Sequence, residues 1–300
     1  MASKISLITP TFNRASTLAA TFASLEAQRG RFDLQYVVID GGSTDGTLEL
    51  INAKKRLISD WVSEPDGGMY DAIAKGFARA DGDILGWLNS DDTLFPWAFD
   101  VITRIFEDVP QIQWISTLTQ AAIDADGDIR YLRKVPGYAQ QAFFDGVYFG
   151  FGGAGDLHAT DFIQQESTFF RRSLWERVGE PALRSQSLAG DFALWTAFMA
   201  EAPLIGVDAP LGAFRIHSAG QLSRGQREKY VDQCKSALAA ARAKLKYAPR
   251  AIEGAATYTG FYAEKRAPEQ ERSSWHVVER PFHVLPRGDL KTALNQRLVY

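Results

Sequence analysis

Apolar and polar positions along the first hundred residues switch repeatedly between two periods. Ile5 to Thr9 is a short apolar run closed by Pro10, which predicts a strand. Leu18 to Gln28 then carries apolar residues at helical spacing. Leu34 to Ile39 predicts a second strand, rich in β-branched residues and ended by Asp40-Gly41-Gly42. A helix follows from about Thr47, with Thr44 or Asp45 as its cap. Ile58 to Val62 reads as a third strand, followed by the turn-rich Glu64-Pro65-Asp66-Gly67-Gly68. Tyr70 to Ala80 is helical, with Ile73 and Phe77 one turn apart. Asp83 to Leu88 is a fourth strand, running into Asn89-Ser90-Asp91-Asp92. Strand and helix alternate from the first residues, which predicts an α/β domain with a mostly parallel sheet and ligand loops at the strand C-termini.

The second half is less regular. Trp114 to Thr119 and Ile129 to Val135 read as strands around a turn at Asp126-Gly127-Asp128. Gly137 to Thr160 is rich in glycine and aromatics and has no clear period, so it reads as a lid or binding loop. Ser173 to Val178 and Phe192 to Ala200 predict helices. From Gln226 to Tyr247 a stripe of Val231, Cys234, Leu238, Ala241 and Leu245 recurs at helical spacing and favours core packing over a membrane surface. The tail beyond Arg266 shows no motif, and the chain has no internal repeat.

Composition narrows the classes. The chain has 300 residues, 46% of them hydrophobic, enough for a sizeable core. No apolar run is long enough for a membrane-spanning helix, and the first residues do not read as a signal peptide. The single cysteine, Cys234, excludes an internal disulfide and a cysteine-built zinc site. A cytoplasmic location is expected, with no nucleic-acid partner. The net charge of −3 conceals an asymmetry: residues 1–223 hold 18 Lys/Arg against 28 Asp/Glu, and residues 224–300 hold 15 against 8. An acidic front that binds a phosphate ligand calls for a bridging cation. The basic rear is either a solvated helical region or a surface for an anionic membrane face.

Candidate chemistry gathers just after the strands. Asp40, Asp66 and the Asp91-Asp92 pair follow the second, third and fourth strands, so parallel strands place all of them along one sheet edge. Any one alone is explained as well by an aspartate serving a turn. Adjacent carboxylates at the end of a buried strand repel each other unless a cation relieves them. Hard oxygen donors suit Mg²⁺ or Mn²⁺.

Three segments in order, SLITPTFNRASTLAATFASL, VVIDGGSTDGT and SEPDGGMYDAIAKGFARADGDILGWLNSDD, resemble the family 2 glycosyltransferases of GT-A fold. The likeness continues more loosely through QQESTFFRRSLWERVG, LAGDFALWTAF and FRIHSAGQLS, which are similar to bacterial polysaccharide- and lipopolysaccharide-assembly members. It covers about three-quarters of the chain and stops near Arg224. The resemblance implies an inverting transfer of a sugar from a nucleotide diphosphate donor, UDP being the first choice, to a hydroxyl of a glycan or lipid-linked acceptor. It implies that Thr11 and Arg14 line the nucleotide site, that Asp40 and Asp66 meet the base, and that Lys75 lies near the phosphates. Asn89 and Asp91 are implied at the donor, Asp91, Asp92 and His217 at a Mn²⁺ or Mg²⁺ ion, and Asp191 as the general base. Gln165 and Glu166 are acceptor-side candidates. The sequence departs from the family pattern at three points: Asn89 replaces the usual first Asp of the acidic motif, Ala74 precedes Lys75, and Gly190 precedes Asp191. Asp191 also reads as an N-cap, a role compatible with that of a base.

A dinucleotide-binding dehydrogenase fails on the absence of G-x-G-x-x-G after the first strand. A sugar-phosphate nucleotidyltransferase lacks its glycine-rich basic stretch. A catalytically inactive glycan- or partner-binding module stays open through Asn89. The expectation is therefore a GT-A glycosyltransferase domain over residues 1–223 and a basic, mainly helical region over 224–300, with that basic region offering a peripheral placement at the inner face of the plasma membrane.

Overall fold

The computed structural model describes residues 3–148, 162–216, 226–252, 255–266 and 273–284. The first half alternates as its pattern requires: β1 (Lys4–Thr11), α1 (Ala15–Glu26), β2 (Asp33–Asp40), α2 (Thr47–Ala53), β3 (Asp60–Ser63), α3 (Met69–Arg79) and β4 (Ile84–Trp87). Then come β5 (Thr93–Leu94), α4 (Ala98–Asp108), β6 (Trp114–Thr117), β7 (Thr119–Ile123), β8 (Ile129–Lys134) and α5 (Gln140–Asp145). A 3₁₀ turn (Gln165–Ser167) leads into β9 (Phe169–Arg171), α6 (Arg172–Leu183), α7 (Gly190–Glu201), β10 (Ile205–Val207) and β11 (Gly212–Arg215). The rear consists of α8 (Arg227–Leu245), β12 (Ala256–Arg266) and β13 (Ser274–Val284).

Among the described residues, nine strands form the main sheet in the order β13-β12-β10-β6-β9-β4-β1-β2-β3. The pairs β3–β2, β2–β1, β1–β4, β6–β10 and β10–β12 are parallel, whereas β9 runs antiparallel between β4 and β6. A second sheet, β5-β11-β7-β8, lies on the continuation of the chain past β4 and β6. The architecture is the expected mixed α/β one, with a mostly parallel sheet flanked by helices.

Both faces of the main sheet are covered, so the central strands are apolar throughout. In β1 and β2, Ile8, Val37 and Ile39 face one core with Phe77 of α3, Trp175 of α6 and Phe198 of α7, while Leu7, Tyr36 and Val38 face another with Phe22 of α1 and Phe99 of α4. In the first of these cores three indoles form a column. Trp87 stacks on Trp195 with centroids 5.4 Å apart, and Trp195 on Trp114 at 5.7 Å. Trp87 and Trp195 are thus core residues, as their apolar settings imply.

The rear differs from its expectation beyond α8. The predicted helix is present, and its stripe buries Cys234 and Leu238 in the core shared with α7. From Ala256 onward, however, the described residues form an antiparallel hairpin whose first strand extends the main sheet beside β10. Its first strand alternates buried Tyr258 with exposed Thr257 and Thr259, the period of a strand. The apparently structureless span after Gly137 likewise contains α5, fastened where Asp145 accepts bonds from Tyr247 Oη (2.8 Å), Tyr258 Oη (3.0 Å) and Arg250. Among the described residues no helix is long and apolar enough to cross a membrane.

Candidate active site

The carboxyl ends of β1, β2 and β3 lie side by side, with Thr11 opposite Asp40 and Asp40 opposite Ser63. Asp40 is buried, and its oxygens accept from Gly42 N (3.0 Å), Ser43 N (2.9 Å), Ser63 Oγ (2.6 Å) and, more closely, Ser43 Oγ. Its carboxylate folds the loop after β2 over itself. Asn13, in the left-handed region at φ 52°, ties the first loop to this one, donating from its N–H to Ser43 Oγ and accepting from Thr44 N. Asp45 accepts from Thr47 N and Oγ at the start of α2 and from Ala15 N at the start of α1, so one side chain serves two helix N-termini. The N-cap position of α2 itself is Gly46.

Asp66 stands over this pair of loops. A Cβ at Gly41 would lie 3.0 Å from Asp66 Oδ2 and 3.3 Å from the Phe12 ring, so glycine permits their close approach. Phe12 is 58% exposed. Thr11 is buried, and its Oγ1 has no hydrogen-bond partner among the described residues. Arg14 anchors the same loop through its N–H to Thr47 Oγ1. Lys75 is committed elsewhere: its amine lies 2.9 Å from Glu64 and 3.3 Å from Asp71, in surface ion pairs.

The acidic loop after β4 is held from three sides. Helix α1 donates from Thr17 Oγ1 to Ser90 O and from Thr21 Oγ1 to Asp92 O. Arg215, at the end of β11, donates from its N–H to Asp92 Oδ1 (2.8 Å) and from Nε to Asp91 O (2.7 Å). The 3₁₀ turn contributes Gln165, whose Nε2 reaches Trp87 O and whose Oε1 accepts from Asn89 Nδ2 (3.1 Å). Asn89 also donates to Asp92 Oδ2 (3.3 Å). An aspartate at position 89 would present a lone-pair oxygen to both acceptors, so the departure from the family pattern is matched to its surroundings. The amide oxygen of Asn89, Oδ1, is buried without a partner among the described residues.

Three carboxylates are buried here, and burial raises each of them. Burial, then Glu166, then Asp91 hold Asp92 well above the usual carboxylate range. Burial pushes Glu166 up to about 7, with Asp91 and Asp191 adding to it against the bond from Gln164 Nε2. Asp191 is raised by burial, which outweighs bonds from Phe192 N and Tyr70. Glu166 thus feels the charge of both Asp91 in the acidic loop and Asp191.

Asp191 is not the N-cap expected of it; Ala189 holds that position, and Asp191 lies in the first turn of α7. Its Oδ1 accepts from Phe192 N (2.8 Å), Tyr70 Oη (3.1 Å) and Tyr230 Oη (3.5 Å), and no described residue donates to Oδ2. Gly190 is explained by the same packing, because a Cβ there would fall 2.8 Å from the Tyr70 ring and 2.5 Å from Leu183 O.

The fold thus gathers Asn89, Asp91, Asp92, Gln165, Glu166 and Asp191, sets Thr11, Asp40 and Asp66 along the adjoining edge, and leaves Lys75 in ion pairs. His217 lies outside the described residues. Sequence reasoning passed over Phe12, Arg215, Tyr70 and Tyr230. Phe12 had a signal, an aromatic directly after a strand where no core period continues; the others are brought in from distant segments.

This arrangement belongs to a recognisable class. Residues 6–141 match the family model described as glycosyl transferase family 2. Over this segment the chain is similar to the members of glycosyl transferase family 2. An uncharacterized glycosyltransferase of Mycobacterium tuberculosis is 43% identical over 88 residues, 29% of this chain and 34% of that protein. A PGL/p-HBAD biosynthesis glycosyltransferase of Mycobacterium bovis is 31% identical over 193 residues, 61% of this chain and 65% of the relative. The chain therefore spans between about a third and two-thirds of the length of these relatives. In fold it is similar to S. aureus TarS 1-349 in complex with UDP, at a TM-score of 0.57 and 13% identity over 79% of this chain and 65% of that one. The fold is GT-A.

Proposed function

We propose that this protein is an inverting glycosyltransferase that moves a sugar from a nucleotide diphosphate donor, UDP-linked first of all, to a hydroxyl of a glycan or lipid-linked acceptor. The observation that carries the reading is the convergence of the acidic loop, Glu166 and Asp191 beside an open edge that bears Phe12 and Asp66. Support comes from the likeness of residues 6–141 to the family model and from the relatives, one of which is named for PGL/p-HBAD biosynthesis, while TarS has been solved with UDP-GlcNAc.

On this reading Phe12 offers its face to the base and Asp66 an acceptor for base N–H groups. Asp40 shapes the loop beneath them. The buried, unpartnered oxygen of Asn89 accepts from a donor hydroxyl. Asp191 Oδ2 takes the proton of the acceptor hydroxyl as its oxygen bonds to the anomeric carbon, and the bond from that carbon to the diphosphate breaks on the opposite side. Glu166, near its midpoint at neutral pH, can donate or accept at a sugar hydroxyl.

A divalent cation fits the acidic loop. Among the described residues no group of three or more His, Cys, Asp and Glu forms a complete metal cage. Mg²⁺ and Mn²⁺ need none when one or two carboxylates are joined by substrate phosphates. Carboxylates crowded so that their neighbours raise Asp92 and Glu166 are the electrostatic setting a cation relieves. Asp91 would hold it, with Asp92 bracing the loop from beneath, and the ion would neutralise the departing diphosphate. His217 stays a candidate ligand.

We propose in addition that residues 1–223 carry donor and base while the basic residues 224–300 support them and meet an anionic membrane, where a lipid-linked acceptor would be found. A panel of nucleotide sugars screened by thermal shift with and without Mn²⁺ tests the donor reading, since a ligand bound only by the folded state raises its stability. Shifts confined to Mn²⁺ and to UDP-sugars are expected; no shift with any nucleotide sugar overturns it. Co-sedimentation with anionic vesicles, expected to weaken steeply with salt, tests the membrane reading, and indifference to vesicles at low salt removes it.

A further inference from the structure

Helix α8 lies wholly outside the segment that matches the family model, yet it reaches the side chain proposed as base. Near its N-terminus Tyr230 Oη points at Asp191 Oδ1 (3.5 Å), and Cys234, one turn on, adjoins the Tyr230 hydroxyl. Gln233 does something different. Its Oε1 accepts from both Leu188 N (2.8 Å) and Ala189 N (3.1 Å), and its Nε2 donates to Ser187 Oγ (2.9 Å). Residues 187–189 are the approach to α7, so one side chain of α8 fixes the backbone from which Asp191 projects.

From the opposite side, Tyr70 of α3 lies within bonding distance of Leu188 O (2.9 Å) and of Asp191 Oδ1 (3.1 Å). Its single proton serves one of them at a time. While it serves Leu188 O, the remaining donors to Oδ1 are Phe192 N and the Tyr230 hydroxyl. All the described bonds to Asp191 converge on Oδ1, so the carboxylate is oriented with Oδ2 left for the acceptor.

We propose that Tyr230 and Gln233 of α8 are positioning residues for the reaction, holding the Asp191 carboxylate and the turn that carries it so that Oδ2 faces the incoming hydroxyl. The proposal rests on the reading of Asp191 as base. It gives the rear of the chain a defined part in catalysis and makes the separated front domain incomplete.

Among the described residues, four titratable groups face Asp191: Tyr70 from α3, Tyr230 and Cys234 from α8, and Glu166 from the 3₁₀ turn. Burial, then the Asp191 charge, raises both tyrosines well above their ordinary values, and burial does the same for the thiol. All three therefore stay protonated across the neutral range, and of these described groups Glu166 is the one that titrates beside Asp191. A hydrogen bond to a carboxylate favours its charged form. Losing the Tyr230 hydroxyl must then raise the pH at which Asp191 ionises.

The full chain with ¹³C-carboxyl aspartate provides the test, Asp191 being identified as the resonance lost in Asp191→Asn. Tyr230→Phe, which keeps the ring, is expected to move the Asp191 midpoint upward by about half a pH unit to one unit, leaving UDP affinity and melting temperature unchanged. Gln233→Leu, which keeps the hydroxyl, is expected to broaden the same resonance as the turn loosens. If neither variant alters its midpoint or width, α8 contributes packing alone and the proposal is overturned. Should Tyr230→Phe not fold, Gln233→Leu decides by itself. The base reading has a separate failure: UDP release from UDP-glucose, UDP-galactose or UDP-N-acetylglucosamine that persists in Asp191→Asn removes it without touching the geometry of α8.

Discussion

The two edges of the site are built on opposite electrostatic plans. On the edge formed by β1, β2 and β3, Asp40 accepts four hydrogen bonds from its own loop and the next strand, and Asp45 spans two helix starts. Those carboxylates are consumed in making a surface. Across the acidic loop, Glu166, Asp92 and Asp191 are buried with fewer donors, and burial raises the proton affinity of all three, with neighbouring carboxylates adding to it at Asp92 and Glu166. Those carboxylates hold unspent capacity. A satisfied carboxylate rigidifies, whereas an under-satisfied one is costly to bury and is kept where chemistry uses it.

The largest expected effect separates these roles at Asp191. Asp191→Asn keeps an oxygen for Phe192 N and Tyr70 and removes the proton acceptor. Transfer rate at saturating donor should fall about 10²- to 10⁴-fold while melting temperature and UDP affinity hold. A large loss of melting temperature with near-native turnover would instead put Asp191 among the structural carboxylates, and Glu166 would be the next base to test.

Asp91→Ala comes next. UDP titrated by calorimetry should bind about tenfold or more weaker to this variant in Mn²⁺ and nearly as the native chain does in EDTA. Equal native affinity in Mn²⁺ and EDTA would end the metal role.

Asp40→Ala should show the converse pattern to Asp191→Asn. It strips the acceptors from two backbone N–H groups and two hydroxyls, a loss on the order of 3 kcal/mol measured by urea unfolding. Donor affinity should fall with the loop, and turnover should partly return at high donor concentration. Unchanged stability would show that the loop does not depend on this carboxylate.

The smallest effect is a slope. Glu166 is raised in the folded chain to about 7, so the native state holds its proton more tightly than the unfolded one. Its stabilisation is full below the ordinary glutamate range and is lost as pH rises through about 7. In EDTA, Glu166→Gln should flatten the stability profile between about pH 4.5 and 7. An identical slope in both proteins would mean that Glu166 is not held up by its surroundings.

How much of this was legible follows from how local each part is. The β1–β4 edge is contiguous: strand, loop and helix signals run within about a dozen residues of each aspartate, so Asp40, Asp66, Asp91 and Asp92 could be placed along one edge from the pattern alone. Asp191 was found through resemblance, and its detailed setting was not foreseen, because Tyr70 and Tyr230 come from helices 121 and 39 residues away in sequence. Lys75 has helical spacing to Asp71, and its amine pairs with Asp71 and with Glu64 among the described residues. Strand β9 is three residues long, too short to show a period, yet it joins the two halves of the main sheet. The rear hairpin did leave a signal, since Ala256 to Tyr262 is rich in threonine and aromatics, but no turn motif marked it.

The indole column has a use that its packing does not suggest. Trp87 ends the strand that delivers the acidic loop, Trp195 lies one helical turn beyond Asp191, and their rings are 18° from parallel at 5.4 Å. Two chromophores held so close and so nearly coplanar share their excited states. The near-ultraviolet circular dichroism of the protein should therefore carry a strong signature of the distance between the donor-binding strand and the base-bearing helix. A nucleotide that draws the two halves of the site together would announce itself in that spectrum, without any label, before a single sugar had moved.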